Sequence, residues 1–208
     1  KEKIENATSE EMVDFLFSIL KWFKKKQLGN PFNYNRAFEF IQAKILGFDL
    51  LPVGGGSDGI SIKNPTLTAE FKGTEYQGLT KRGKEKSHSF TYNGTTRKDN
   101  IDDQEEYCYD KIMRDNFHYW SMFDYDEGIL LKTIKIKNND VWSLLWPKWR
   151  NSFYKNSNAD PRIGGSVSTN ELQKNIIQYE VINHWCNPDM IKFQIKNCLK
   201  VFLVRVWI

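Results

Sequence analysis

Apolar and polar positions alternate with a helical period in EMVDFLFSILKWFKKK (residues 11–26), where Met12, Val13, Phe15, Leu16, Ile19, Leu20 and Phe23 recur three and four apart. Thr8 stands three residues before Glu11, the spacing at which a threonine hydroxyl and a glutamate carboxylate cap a helix N-terminus reciprocally. Lysines gather at the other end, where the helix dipole favours them. The spacing predicts a helix that packs on a core and breaks at Leu28-Gly29-Asn30-Pro31. A second helix is expected over NYNRAFEFIQAKILG (33–47), with Ala37, Phe40, Ile41 and Ile45 on one face and Gly47 as its stop.

The period then changes from 3.6 to 2. In TLTAEFKG (66–73), Leu67, Ala69 and Phe71 alternate with Thr68, Glu70 and Lys72, which predicts a strand with Glu70 and Lys72 on the same face. FDLLPVGGGSDGIS (48–61) leads into it through a glycine turn. Periodicity is lost over residues 74–100, where Asn93-Gly94 suggests a hairpin tip in a long loop or ribbon. DDQEEYCYDKIMRDN (102–116) reads as a helix with acids in its first turn. HYWSMFDYDEGILLKTIKIKN (118–138) gives two strands around a turn near Asp126-Glu127-Gly128, and DVWSLLWPKWRNSF (140–153) begins as a helix capped by Asn139 or Asp140. A Gly/Pro/Ser-rich loop (156–170), a helix over about 170–185 and a closing strand in NCLKVFLVRVWI complete the pattern. The alternation of elements implies one α/β domain over residues 1–208, with loops about 74–100 and 156–170 inserted in it.

Composition agrees with one well-buried domain: 208 residues, 40% hydrophobic, 14% aromatic and 27% charged. Cys108, Cys186 and Cys198 are odd in number and contain no CxxC pair, which argues against a disulfide framework or structural zinc and for a reducing setting. No apolar run of membrane-spanning length occurs and no signal-like N-terminus is present, so the expected setting is cytoplasmic, in a bacterium or a virus.

The net charge is only +4, but the positive charge is concentrated. Between positions 72 and 98 lie seven cations, Lys72, Lys81, Arg82, Lys84, Lys86, Arg97 and Lys98, against the two acids Glu75 and Glu85. Such a segment suits phosphate contacts, with Arg82, Asn93 or Arg97 available to read a groove, or else it is a solvated loop. Arg162 in DPRIGG stands open in the same way between a base or phosphate contact and a turn. His88, His118 and His184 have no Ser or Cys partner at a telling spacing, so a hydrolase triad has no support, and Trp142, Trp146 and Trp149 fit a core or an interface better than a stacking platform.

The chemistry gathers at Asp58, Glu70 and Lys72. Two carboxylates that face one point repel unless they share a proton or a cation, and magnesium, a hard ion, takes carboxylate and carbonyl oxygens while keeping sites for water and phosphate. A lysine one pleat from the second carboxylate can stabilise charge on an attacked phosphate. No GxxxxGK[ST] P-loop is present. Asp49 is the weaker substitute for Asp58, because no strand-end turn surrounds it.

Asp58 followed after twelve residues by Glu70-Phe71-Lys72 in an apolar strand, behind a helix that carries Glu39, resembles the PD-(D/E)XK nuclease superfamily, and within it most closely the type II restriction endonucleases. Ser57 stands where that pattern has Pro. The resemblance implies a restriction-endonuclease-like mixed central sheet flanked by helices and magnesium-dependent hydrolysis of double-stranded DNA to 5′-phosphate and 3′-hydroxyl ends, usually by a homodimer. It places Asp58, Glu70 and the Phe71 carbonyl on Mg2+, with Lys72 catalytic and Glu39 either auxiliary or a solvated helix residue. The expected DNA contacts are Lys81, Arg82, Lys84, Lys86, Asn93, Arg97, Lys98 and Arg162. A Holliday-junction or repair nuclease of the same superfamily and a non-catalytic basic nucleic-acid-binding protein are the alternatives.

Overall fold

The computed structural model describes residues 6–32, 36–53, 56–92, 96–124, 129–155 and 163–183. Helix α1 (Ser9–Lys25) starts with the expected capping box between Thr8 and Glu11. Helix α2 (Arg36–Leu46) stops at Gly47, whose φ of +79° only glycine adopts cheaply. Strands β1 (Phe48–Leu50), β2 (Gly59–Ser61) and β3 (Thr68–Glu75) form an antiparallel meander. The chain then makes a short strand β4 (Ser89–Tyr92) and helix α3 (Ile101–Met113), and returns as β5 (Phe117–Asp124), parallel to β3. A hairpin leads to β6 (Ile129–Lys137), followed by α4 (Asn138–Lys155), β7 (Gly165–Ser168), α5 (Thr169–Lys174) and β8 (Glu180–Asn183).

The result is a six-stranded mixed sheet in the order β1-β2-β3-β5-β6-β8, together with a separate β4-β7 ribbon. Strand alternation assigns the sheet's side chains to two cores. Ala69, Phe71 and Tyr119 face Phe23, Leu28, Ala43 and Phe48, beneath α1 and α2. Trp120, Met122, Ile134 and Ile136 face the other way, into a larger cluster with Phe90, Cys108, Ile112, Leu145, Trp149 and Val167 from the ribbon, α3 and α4. The α/β class and the mixed sheet flanked by helices therefore hold. Glu70 and Lys72, one step out of phase with Ala69 and Phe71, necessarily point to the α3 and β4 side.

Five expectations require correction. The α1 helix is not a fully packed core helix: only Phe23 is buried, and Val13, Phe15, Leu16, Phe17 and Trp22 are exposed. On α2 the buried face carries Gln42 and Ala43, not Ile41 and Ile45, because the register of Phe23, Phe40 and Trp22, whose rings meet edge to face 5.4 Å apart, turns the isoleucines outward. Helix α4 already starts at Asn138, so Asn139 and Asp140 lie in its first turn. The segment read as a loop up to residue 170 contains β7, paired with β4, and the helix expected to follow ends at Lys174: at Ile176 φ is +55°, and the chain leaves the helix to become edge strand β8 on β6. Asn93 and Arg162, the hairpin tips near 93–94 and 126–128, His184, Cys186, Cys198 and the C-terminal strand lie outside the described residues. Among the described residues no helix is long and apolar enough to cross a membrane.

Candidate active site

Asp58 is the last residue before β2, and the pairing of that strand fixes it. Its N–H donates to the Ala69 carbonyl at 3.0 Å and its carbonyl accepts from Leu51 N at 2.8 Å. Its carboxylate oxygen Oδ2 accepts the backbone N–H of Phe71 at 2.8 Å. Gly59 makes this close approach possible, since a Cβ there would lie 2.7 Å from the Phe71 ring.

Glu70 and Lys72 leave β3 on one face, as the alternation requires. The Lys72 ammonium touches Glu70 Oε1 and donates to the Phe71 carbonyl at 3.1 Å. It also sits 5.2 Å from the centre of the Tyr92 ring, a cation–π contact. Tyr92 comes from β4 and is itself fixed: its hydroxyl accepts from Trp120 Nε1 at 2.7 Å and lies 3.0 Å from His118 Nδ1, while His118 Nε2 faces the Ile112 carbonyl at 3.2 Å. With Trp120 donating to Tyr92, the phenol proton goes to His118 Nδ1 and the histidine proton on Nε2 goes to Ile112, so a neutral imidazole satisfies the whole chain. Burial agrees, holding His118 down at about 4.

The electrostatics set the two carboxylates apart. Burial, then the charges of Glu70 and Glu39, lift Asp58 to about 8 against the pull of Lys72 and the Phe71 amide. Burial also pushes Glu70 upward, but the adjacent Lys72 ammonium outweighs it and holds that carboxyl below its ordinary range. For Lys72, burial works against the charge, yet Glu70 and Asp58 keep it ionised well above its usual range. Thus at neutral pH Glu70 and Lys72 are an ion pair and Asp58 holds a proton, which any cation arriving there would displace.

These residues line two adjoining hollows that share Glu70 and Lys111. One, of about 440 Å³, is bordered by Glu39, Glu70, Lys72, Thr91, Tyr92 and Lys111; the other, of about 690 Å³, by Gly56, Asp58, Glu70, Tyr107, Lys111 and Arg114. Glu39 is thus at the site rather than on the solvated back of its helix, held by Arg36 Nη1 at 2.7 Å. Arg36 is buried, with Nε on the Leu28 carbonyl at 2.6 Å and Nη2 on the Leu51 carbonyl, which ties α2 to the strand that leads to Asp58. Asp49, in contrast, is exposed and paired with Lys44 at 2.5 Å.

A hard divalent cation fits this donor set: two carboxylates, one of them held protonated chiefly by burial and by its acidic neighbours, and the carbonyl of Phe71. Among the described residues no three His, Cys, Asp or Glu side chains cluster closely enough to enclose a metal, so most of such an ion's coordination would be left to water and substrate.

The expected DNA-contacting cations divide. Lys81, Arg82, Lys84 and Lys86 are exposed on a turn closed by the Leu79–Glu85 bridge. Arg97 lies over the Phe153 ring at 4.6 Å and Lys98 over Tyr107 at 4.2 Å, so both are drawn onto α4 and α3 and away from that turn. His88 is buried behind it, accepting from Gln77 N at 3.0 Å and stacked on Tyr76, a structural role. Trp149 is core, and Trp142 and Trp146 stack on each other at 5.1 Å.

Sequence reasoning missed Tyr92, Lys111, Arg114 and Asp115. Lys111 is pulled below its usual range by burial, with Glu70 opposing. Asp115, buried beside Ser57 and Thr68, is raised by burial to about 6. None stands at a telling distance in sequence; what signal exists is the single apolar-alternating strand SFTY that ends in Tyr92.

No protein-family model matches the chain, and no curated protein is significantly similar to it.

Proposed function

We propose that this chain is a magnesium-dependent endodeoxyribonuclease of the PD-(D/E)XK kind, most like a type II restriction enzyme. The observation that carries this reading is the clamp of Asp58 onto the Phe71 amide, which holds its carboxylate within the fields of Glu70 and Lys72, where two adjoining hollows meet at Glu70.

Asp58, Glu70 and the Phe71 carbonyl are the residues that would hold magnesium. When bound, the ion supplies a polarised phosphate oxygen and a more acidic water. Lys72, kept charged by its neighbours, gives the pentavalent phosphorus a fixed positive charge where negative charge grows on the non-bridging oxygens. Tyr92 holds the lysine's approach through its ring face. Glu39 adds negative charge that favours cation uptake, and Lys111 and Arg114 supply cationic walls suited to the backbone on either side of the scissile phosphate. The exposed Lys81–Lys86 turn adds phosphate contacts farther along double-stranded DNA, with a strong salt dependence as the consequence.

The test is incubation of mixed-sequence linear duplex and of a four-way junction with the purified chain, in magnesium and in EDTA. Discrete duplex fragments with 5′-phosphate ends, formed only with magnesium, support the restriction-type reading. Cleavage of the junction alone moves the protein to a resolvase role. Binding without cleavage of either substrate contradicts the nuclease reading and leaves a basic nucleic-acid-binding protein.

A further inference from the structure

Helix α1 carries an apolar stripe that nothing among the described residues covers. Val13, Leu16, Phe17 and Leu20 recur at i, i+3, i+4 and i+7, while the helix meets the rest of the domain through a neighbouring stripe that contains Ile19 and Phe23. Val13 is 49% exposed and Phe17 56%, whereas Phe23 is 5% exposed. An exposed contiguous apolar face of this kind marks a binding surface. At its C-terminal end the stripe runs into a hollow of about 510 Å³ between Leu20, Lys21, Lys24 and Val53.

The charge along the same helix is polar end to end. Glu10, Glu11 and Asp14 occupy its first half, and Lys21, Lys24 and Lys25 its last turns. Among the described residues Glu10, Asp14, Lys21 and Lys24 take part in no ion pair. A helix that is acidic at one end and basic at the other is complementary to itself only when turned around.

We infer that α1 docks against α1 of a second copy of this chain, antiparallel about a two-fold axis near Phe17. In that arrangement Glu10 meets the partner's Lys24, Asp14 meets the partner's Lys21, and each Val13 enters the partner's hollow at Leu20 and Val53. The contact is isologous, as a closed two-fold dimer requires. A parallel pairing is disfavoured because it sets Glu10 against Glu10 and Lys24 against Lys24. A homodimer is already among the expectations of the nuclease reading; what the inference adds is the interface, and it does not rest on that reading, since it concerns a helix with no residue at the cleft.

Sedimentation velocity over a concentration series, without metal or DNA, tests it. The full chain is expected to show a monomer–dimer equilibrium. Glu10→Lys/Asp14→Lys and Lys21→Glu/Lys24→Glu are each expected to weaken the dimer at least about tenfold, because like charges then face each other. An equimolar mixture of the two variants restores dimers, since every reversed charge then faces its opposite. All four positions are exposed, and circular dichroism checks that the variants fold. A chain that stays monomeric at every concentration overturns the inference, whether the stripe is then covered by another part of the chain or by another molecule. So does a dimer insensitive to both reversals, or a mixture no tighter than its components.

Discussion

The carboxylate of Asp58 and the backbone N–H of Phe71, thirteen positions apart in sequence, are joined by a 2.8 Å hydrogen bond. The bond fastens the segment before β2 to the middle of β3, so that an acid from one strand end and the Glu70–Lys72 pair belong to one rigid unit. It also leaves the second oxygen of Asp58 for other partners.

Because Asp58 is held up at about 8, the folded protein binds a proton there that the unfolded chain releases near 3.8. The contribution of this group to stability therefore falls as pH rises from about 4 to about 8. Asp58→Asn is expected to flatten this part of the stability profile and to raise the thermal midpoint at pH 8, with a smaller effect near pH 5. Calorimetry at the two pH values checks it. Magnesium is expected to stabilise the native protein more at pH 8 than at pH 5, and the Asn variant much less at either.

Lys72 already occupies the Glu70 carboxylate and the Phe71 carbonyl with its ammonium group. An incoming cation competes with it for those oxygens. Lys72→Met is expected to bind calcium more tightly than the native chain, by roughly tenfold if one charge-assisted hydrogen bond of about 1.5 kcal/mol is released from competition. It is expected to be inactive in cleavage all the same. Isothermal titration with calcium decides: weaker binding by the variant argues that Lys72 supports the cation site instead of competing for it.

Tyr92 separates a ring effect from a hydroxyl effect. Tyr92→Phe keeps the surface beneath Lys72 but strips the acceptor from Trp120 Nε1 and the donor from His118. It is expected to cost about 1–3 kcal/mol of stability, the penalty for buried groups left unpaired, and to retain most activity per folded molecule. Tyr92→Ala is expected to lose activity as well. Urea unfolding combined with turnover measurements on both variants tests the distinction.

Much of this fold was legible in the sequence for identifiable reasons. The Thr8–Glu11 cap and the strand alternation at Ala69, Glu70, Phe71 and Lys72 are local signals, and each is met in the structure. The faces of α1 and α2 were not legible, because period alone shows that Ile41 and Leu16 belong to apolar stripes without showing which stripe finds a partner. Gln42 is buried with both side-chain polar atoms lacking a partner, where an apolar residue would be expected, and no sequence rule places it there. The helix expected beyond residue 174 fails at Ile176 through a backbone turn that its β-branched side chain does not advertise. At the site, Asp58, Glu70 and Lys72 were visible because chemistry constrains their types and spacing. Tyr92, Lys111 and Arg114 reach the cleft only through the packing of β4 and α3 over the sheet.

His118 provides an acid-side prediction. Burial holds its folded pKa at about 4, below its ordinary value of 6.5. Unfolded chains bind a proton at this group between those values and folded ones do not, so its contribution to stability falls as pH drops from about 6.5 to about 4, opposite in sign to the Asp58 contribution over the same range. The loss is on the order of 3 kcal/mol if fully expressed. His118→Gln, which can still hydrogen-bond Tyr92, is expected to remove most of this slope. Denaturant midpoints measured at several pH values check it, and an unchanged acid-side slope in the variant contradicts the neutral-imidazole assignment.

One rate tests the nuclease reading most directly, the scission of supercoiled plasmid by the native chain and by Glu70→Gln, each in magnesium and in EDTA. The nuclease reading predicts conversion to cut forms by the native chain in magnesium only, and a fall of at least about a hundredfold in the variant, as expected when a carboxylate that would hold the charge-stabilising metal is lost. Equal cutting by the two proteins, or cutting that persists in EDTA, would contradict it.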